Sequence, residues 1–72
     1  MKIQVQCHRG EPRIFRLGER WLHVIGVLER VAENSLQRFR LLVADGREFV
    51  LRHDPRSDDW QLAAVRGARS QF

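Results

Sequence analysis

The sequence predicts an all-β domain: a small antiparallel SH3-like or partly open barrel of five to six strands. Apolar and polar residues alternate with period two from the first residues onward. Turn-forming residues cut the chain at short intervals, at Arg9-Gly10-Glu11-Pro12, Gly18-Glu19, Ala44-Asp45-Gly46 and Asp54-Pro55. The length of 72 residues allows one thin core, which a sheet curled on itself can supply. A curled meander sheet is the competing arrangement. One domain is expected over residues 1–65, with 66–72 as a mobile C-terminal tail that has little to bury apart from Phe72.

Ile3, Val5 and Cys7 share one face of the first strand, and Lys2, Gln4, Gln6 and His8 share the other. This reads as a half-buried strand near a sheet edge. Gly10 and Pro12 break it. Arg13 to Leu17 follows, with Phe15 and Leu17 on one face. Gly18-Glu19 suits a two-residue type II′ hairpin, because its first central position requires a left-handed backbone. That register pairs Leu17 with Arg20, Phe15 with Leu22 and Arg13 with Val24.

Arg20 to Val31 is apolar on both sides, with Leu22, Val24 and Leu28 on one face and Trp21, Ile25, Val27 and Val31 on the other. A short helix over Leu22 to Val31 is disfavoured by the β-branched residues and by Gly26. In a strand, Gly26 marks the bend a small barrel needs. Ala32-Glu33-Asn34-Ser35 reads as a loop, and Leu36 to Val43 as a strand with Phe39, Leu41 and Val43 on one face. The next turn can be tested against the apolar pattern. A two-residue Asp45-Gly46 loop would put Phe39 and Leu41 on the opposite face from Phe49 and Leu51. A three-residue Ala44-Asp45-Gly46 loop, with Gly46 left-handed, pairs Leu41 with Phe49 and Phe39 with Leu51. Register follows the buried face, so the bulged hairpin is expected. A polar loop from Asp54 to Asp59 leads to a last strand, Trp60 to Val65, with Trp60, Leu62 and Ala64 on one face.

The formal net charge is +4 and the pI is near 11.0, with Lys2 the only lysine. Arginine suits bidentate phosphate contacts. Arginine-rich composition is also common in GC-rich genomes, so charge permits a nucleic-acid partner without requiring one. A domain this small would give up much of its core to an enclosed substrate cleft, so an enzyme is not expected. Cys7 is the only cysteine, which allows no internal disulfide. The first six residues alternate in polarity, and the apolar run from Val24 to Leu28 is too short to span a bilayer. A cytoplasmic location without membrane contact is expected.

Chemistry-bearing residues form no catalytic constellation. Ser35, Ser57 and Ser70 fall in loops or the tail, outside any nucleophile-elbow context. Cys7 lies on the apolar face of its strand, which favours a structural thiol over a nucleophile. Cys7, His8, His23 and His53 lack metal-ligand spacing, and the acidic loop near Asp58 lacks the spacing and glycine of an EF-hand. No metal or cofactor is expected. Arginines interleaved with aromatics form the better candidate: Arg38 and Arg40 on one strand, Arg47 and Arg52 on its partner, and Arg13, Arg16 and Arg20 around Phe15 and Trp21. Small barrels bind single strands through such basic surfaces with aromatic stacking platforms. Trp21 and Trp60 are the candidate platforms, and closing the ends of the core is their alternative role.

The motifs Pro12-Arg13-Ile14-Phe15, Gly18-Glu19-Arg20-Trp21, Val27-Leu28-Glu29-Arg30, Asp45-Gly46, Leu51-Arg52-His53-Asp54 and Trp60-Gln61-Leu62 together resemble an uncharacterised family of small bacterial β domains. Val31 stands where similar domains often carry an aromatic. Relatives of that kind resemble segments associated with translesion-polymerase-like proteins, so the resemblance implies a DNA-maintenance setting and no catalytic residue. The expected function is a non-enzymatic binding module for nucleic acid, using Arg13, Arg16, Arg20, Trp21, Arg38, Arg40, Arg47 and Arg52. The alternative is a protein-interaction module that pairs an exposed strand edge with a partner or a second copy.

Overall fold

Six strands follow one another through tight turns: β1 (Lys2–His8), β2 (Glu11–Leu17), β3 (Arg20–Glu33), β4 (Leu36–Val43), β5 (Glu48–Asp54) and β6 (Asp59–Arg66). Each pairs antiparallel with the next, and β6 returns to β1 to close a barrel. The structure, a computed structural model, describes residues 2–67. The expected mobility of the tail from residue 68 onward lies outside the described residues. Arg66, expected in that tail, is instead the last residue of β6 and pairs with Glu48.

Turn chemistry fixes two hairpins as expected. Gly18 has φ +64 while Glu19 keeps an ordinary backbone, and Leu17 pairs with Arg20 and Phe15 with Leu22. Gly46 has φ +91 and closes the three-residue loop, donating its N–H to the Val43 carbonyl at 3.0 Å. The Val43 N–H in turn donates to the Arg47 carbonyl at 3.1 Å. Leu41 therefore opposes Phe49, and Phe39 opposes Leu51. The expected loop at Ala32 is shorter than the sequence suggests. β3 runs to Glu33, and Asn34, left-handed at φ +55, turns the chain with Ser35.

Bulges account for the remaining departures. In β2, Arg13 is the extra residue between the pairs Gln6–Ile14 and Cys7–Pro12. Pro12, which has no N–H to give a ladder, sits at this irregularity. The β2–β3 ladder consequently ends at Ile14–His23 and does not reach the expected Arg13–Val24 pair. β3 bulges at Ile25, beside Gly26, and again at Leu28. Each inserted residue reverses the inside–outside alternation. Val27 thereby joins the core side, while Leu28, expected beside Leu22 and Val24, is 42% exposed and Ile25 is 61% exposed.

The core is built from Phe15, Phe39, Leu41, Val43, Phe49, Leu51 and Trp60, with Ile3, Val5, Leu22, Val24 and Leu62 packed around it. The Phe15 and Phe49 rings meet edge to face at 5.1 Å. Two guanidinium groups lie over core rings, Arg47 above Phe49 at 5.1 Å and Arg30 above Phe39 at 5.4 Å. Among the described residues, the β1–β6 seam consists of Lys2–Gln61 and Ile3–Trp60. The far half of β1 therefore has no second neighbour among the described residues, and Cys7 is exposed rather than buried in the core as its face suggested.

Candidate nucleic-acid interface

The inward rows of the barrel determine which side chains point out. Val5, Phe15 and Leu22 form one inward row across β1, β2 and β3. The rows on either side must project to solvent. One is Gln4–Arg16–Trp21 and the other is Gln6–Ile14–His23. Trp21 is 40% exposed. Arg16 is exposed beside it and donates its Nε–H to the Gly18 carbonyl at 2.9 Å, which leaves its outer N–H groups free for a ligand. Arg13 is exposed on the β2 bulge, and Arg20 is exposed at the start of β3.

Trp60 does not share this role. It is 6% exposed, stacks on His53 at 4.1 Å and packs against Phe39 at 5.5 Å. Of the two candidate platforms, only Trp21 has an accessible face.

The arginines divide in the same way. Arg38 pairs with Glu33 at 3.3 Å. Arg40 bridges Glu29 at 3.6 Å and Glu48 at 3.1 Å. Arg47 holds Asp45 at 2.7 Å while covering Phe49. Arg52 lies directly across from Arg38, exposed and with no carboxylate among the described residues. On the β1–β3 side, by contrast, no described ion pair involves Arg13, Arg16 or Arg20. The charge sequence explains this. From Lys2 to Leu28 the acids are Glu11 and Glu19, against Lys2, Arg9, Arg13, Arg16 and Arg20. From Glu29 to Gly67, Arg30, Arg38, Arg40, Arg47, Arg52, Arg56 and Arg66 are matched in number by Glu29, Glu33, Asp45, Glu48, Asp54, Asp58 and Asp59. The surplus of positive charge among the described residues thus belongs to the half of the barrel that carries Trp21.

A cleft of about 210 Å³ borders this face, lined by Arg20, Trp21, Leu22 and His23 on β3 and by Val43, Ala44 and Asp45 across from them. It exists because β3 outruns β4. Their ladder ends at Val24–Val43, so the first residues of β3 stand apart from the β4–β5 turn. The Arg47 backbone N–H donates to Asp45 at 3.0 Å and, with the Arg47 side chain and nearby Arg20, holds the Asp45 carboxyl below the usual carboxylate range. Asp45 is therefore an anion at neutral pH.

His53 and Asp54 have local structural partners. His53 Nε2 lies 2.9 Å from Asp58. Asp54 accepts the Arg56 N–H at 3.0 Å, a turn cap of the kind expected for this loop. Partial burial, and then the Asp58 carboxylate, push the Cys7 thiol above its ordinary value. Among the described residues, no group of three or more His, Cys, Asp or Glu side chains converges as metal ligands. No described helix is long and apolar enough to cross a membrane.

No family model, curated protein or solved structure matches the chain. The site therefore rests on its own geometry. Sequence reasoning named Arg13, Arg16, Arg20 and Trp21 but left out His23 and Asp45, which line the same cleft as Trp21. The uneven distribution of acids along the chain would have separated the two sets of arginines. The cleft could not be read without knowing where the β3–β4 ladder stops.

Proposed function

We propose that this barrel is a non-enzymatic module that binds single-stranded nucleic acid on the outer face of β1, β2 and β3. The observation that carries this reading is the direct cross-strand pairing of exposed Trp21 with Arg16, on a face where Arg13, Arg16 and Arg20 form no ion pair among the described residues. An indole accepts any base on its π-face, and arginines alongside hold the phosphates. Arg13, Arg16 and Arg20 are the phosphate ligands in this proposal. Arg38, Arg40 and Arg47 serve the barrel's own ion pairs, and Arg52 contributes only long-range charge. A basic sheet face with an exposed stacking residue suits an unpaired strand better than a duplex, whose bases are already stacked. A cytoplasmic, DNA-maintenance setting accords with the lone exposed cysteine and with the family resemblance.

A second reading has one observation in its favour. Beyond Gln61, β6 pairs with β5 alone among the described residues, and its exposed Val65 lies on that free stretch. Such an edge can add a strand from a second copy. Closure of the barrel at Lys2 and Ile3 shortens the available edge, so nucleic-acid binding is preferred.

Fluorescence anisotropy of labelled single-stranded DNA, duplex DNA and RNA, titrated at two salt concentrations, tests the choice. Three phosphate contacts on a single strand imply a log–log salt slope of about −2. Absence of binding at low salt, together with concentration-dependent dimerisation in sedimentation, would replace the proposal with the edge reading.

A further inference from the structure

We infer that the cleft between Trp21 and Asp45 selects an unpaired guanine, with Asp45 reading the Watson–Crick edge of the base. This inference rests on the single-strand reading above. Trp21 and Asp45 line opposite sides of one cleft of about 210 Å³, with Arg20 and His23 at its border. Asp45 Oδ1 accepts the Arg47 backbone N–H and Oδ2 accepts the Arg47 Nε–H. An ionised carboxylate has about four lone-pair sites, so each oxygen keeps acceptor capacity after these two bonds. The Arg47 contacts also fix the plane of the carboxylate, which prepays part of the ordering cost of a bidentate contact.

The chemistry of the bases then discriminates. Guanine presents two adjacent donors, N1–H and N2–H, which match the two oxygens of a carboxylate. Adenine and cytosine each offer one amino donor beside a ring-nitrogen acceptor that repels the second oxygen. Thymine and uracil offer one N–H flanked by two carbonyls. Trp21 supplies a stacking surface for whichever base enters, so it provides affinity, while Asp45 provides the choice. Arg20 neighbours the carboxylate and is placed to hold the adjoining phosphate.

Affinity for all-thymine strands carrying a single central guanine, adenine or cytosine tests the inference, with the unsubstituted strand as reference. The guanine strand should bind at least about fivefold tighter, the lower end expected of one good bidentate contact. Asp45→Asn keeps an oxygen for the Arg47 N–H but replaces one acceptor with a donor, and should erase the preference for the guanine strand over the other three. Inosine in place of guanine removes the N2 amino group without altering the protein, and should lose most of the preference as well. Equal affinity of the wild-type protein for all four strands would overturn the inference and leave single-strand binding intact. A guanine preference that survives both Asp45→Asn and the inosine strand would overturn the role of Asp45. Failure of every strand to bind would overturn the inference together with the proposed function. Competition by free guanosine monophosphate at the affinity of the strand would overturn the single-strand form of the ligand.

Discussion

Arg16 and Trp21 stand directly opposite each other across the β2–β3 ladder, and the carbonyl of Gly18 in the connecting turn anchors the guanidinium. A fixed cation beside an exposed indole pairs phosphate recognition with base stacking. Replacing Trp21 with alanine should cost about 1–3 kcal/mol of single-strand affinity, the value of one stacked base. Unfolding should remain cooperative, because Trp21 is outside the buried core. Affinity unchanged by this substitution would remove the platform from the proposal.

The two classes of arginine should behave differently when removed. Arg16→Ala and Arg20→Ala should each reduce the magnitude of the salt slope by about 0.7. Arg38→Ala and Arg40→Ala should leave the slope almost unchanged, since their charges are already opposed by Glu33, Glu29 and Glu48. Their effect should fall on stability, by at most about 1 kcal/mol for pairs this exposed. Equal slopes for all four variants would show that binding follows total charge and no particular face.

This division shows how far the sequence could be read. Phe39, Leu41, Phe49 and Leu51 were legible because one register alone puts all four on a single face, and that register demanded a three-residue loop at Gly46. Gly18 announced its own hairpin in the same way. Leu28 was misplaced because period-two reading assumes an unbroken ladder, and β3 has bulges at Ile25 and Leu28. A bulge leaves no residue signature as strong as a hairpin glycine does. The fate of Cys7 and the acid partners of Arg38 and Arg40 depend on which strands lie alongside. That is set by barrel closure, a long-range property that local pattern does not encode.

Gly18 offers a test of the turn. Its φ of +64 is left-handed, and a Cβ at this position would meet nothing within 4 Å. The cost of Gly18→Ala is therefore conformational and not steric, about 1–2 kcal/mol. Gly18→Asn should recover part of it, since asparagine tolerates this region. Thermal unfolding of the two variants should rank wild type above Asn above Ala. An alanine variant as stable as wild type would rule out the left-handed turn.

Cys7 should react slowly for an exposed thiol. Burial and the Asp58 carboxylate both raise its pKa, so the folded protein carries less thiolate at pH 8 than the unfolded chain does. Labelling with a thiol reagent should accelerate on unfolding, and Asp58→Asn should speed labelling of the folded state. Faster labelling in the folded state than in denaturant would reverse the sign and reopen a nucleophilic role.

Stability should depend on pH through the turn carboxylates. The Arg47 N–H lowers the Asp45 pKa, the Arg56 N–H lowers that of Asp54, and bonds from Ser57 and then Lys2 lower that of Asp59. In each case the folded state binds the proton less readily than the unfolded chain. Between the depressed native value and the ordinary carboxylate value of about 4, the unfolded state therefore carries more protons, and stability rises with pH. Their contribution is complete above that ordinary value and is lost as pH falls through the native one. Midpoint temperature should be nearly flat from about pH 7 to pH 5 and decline below about pH 4. Asp54→Asn keeps an acceptor for the Arg56 N–H but cannot titrate, so its curve should fall less steeply in acid. An acid limb as steep as that of wild type would show that Asp54 does not contribute to the linkage.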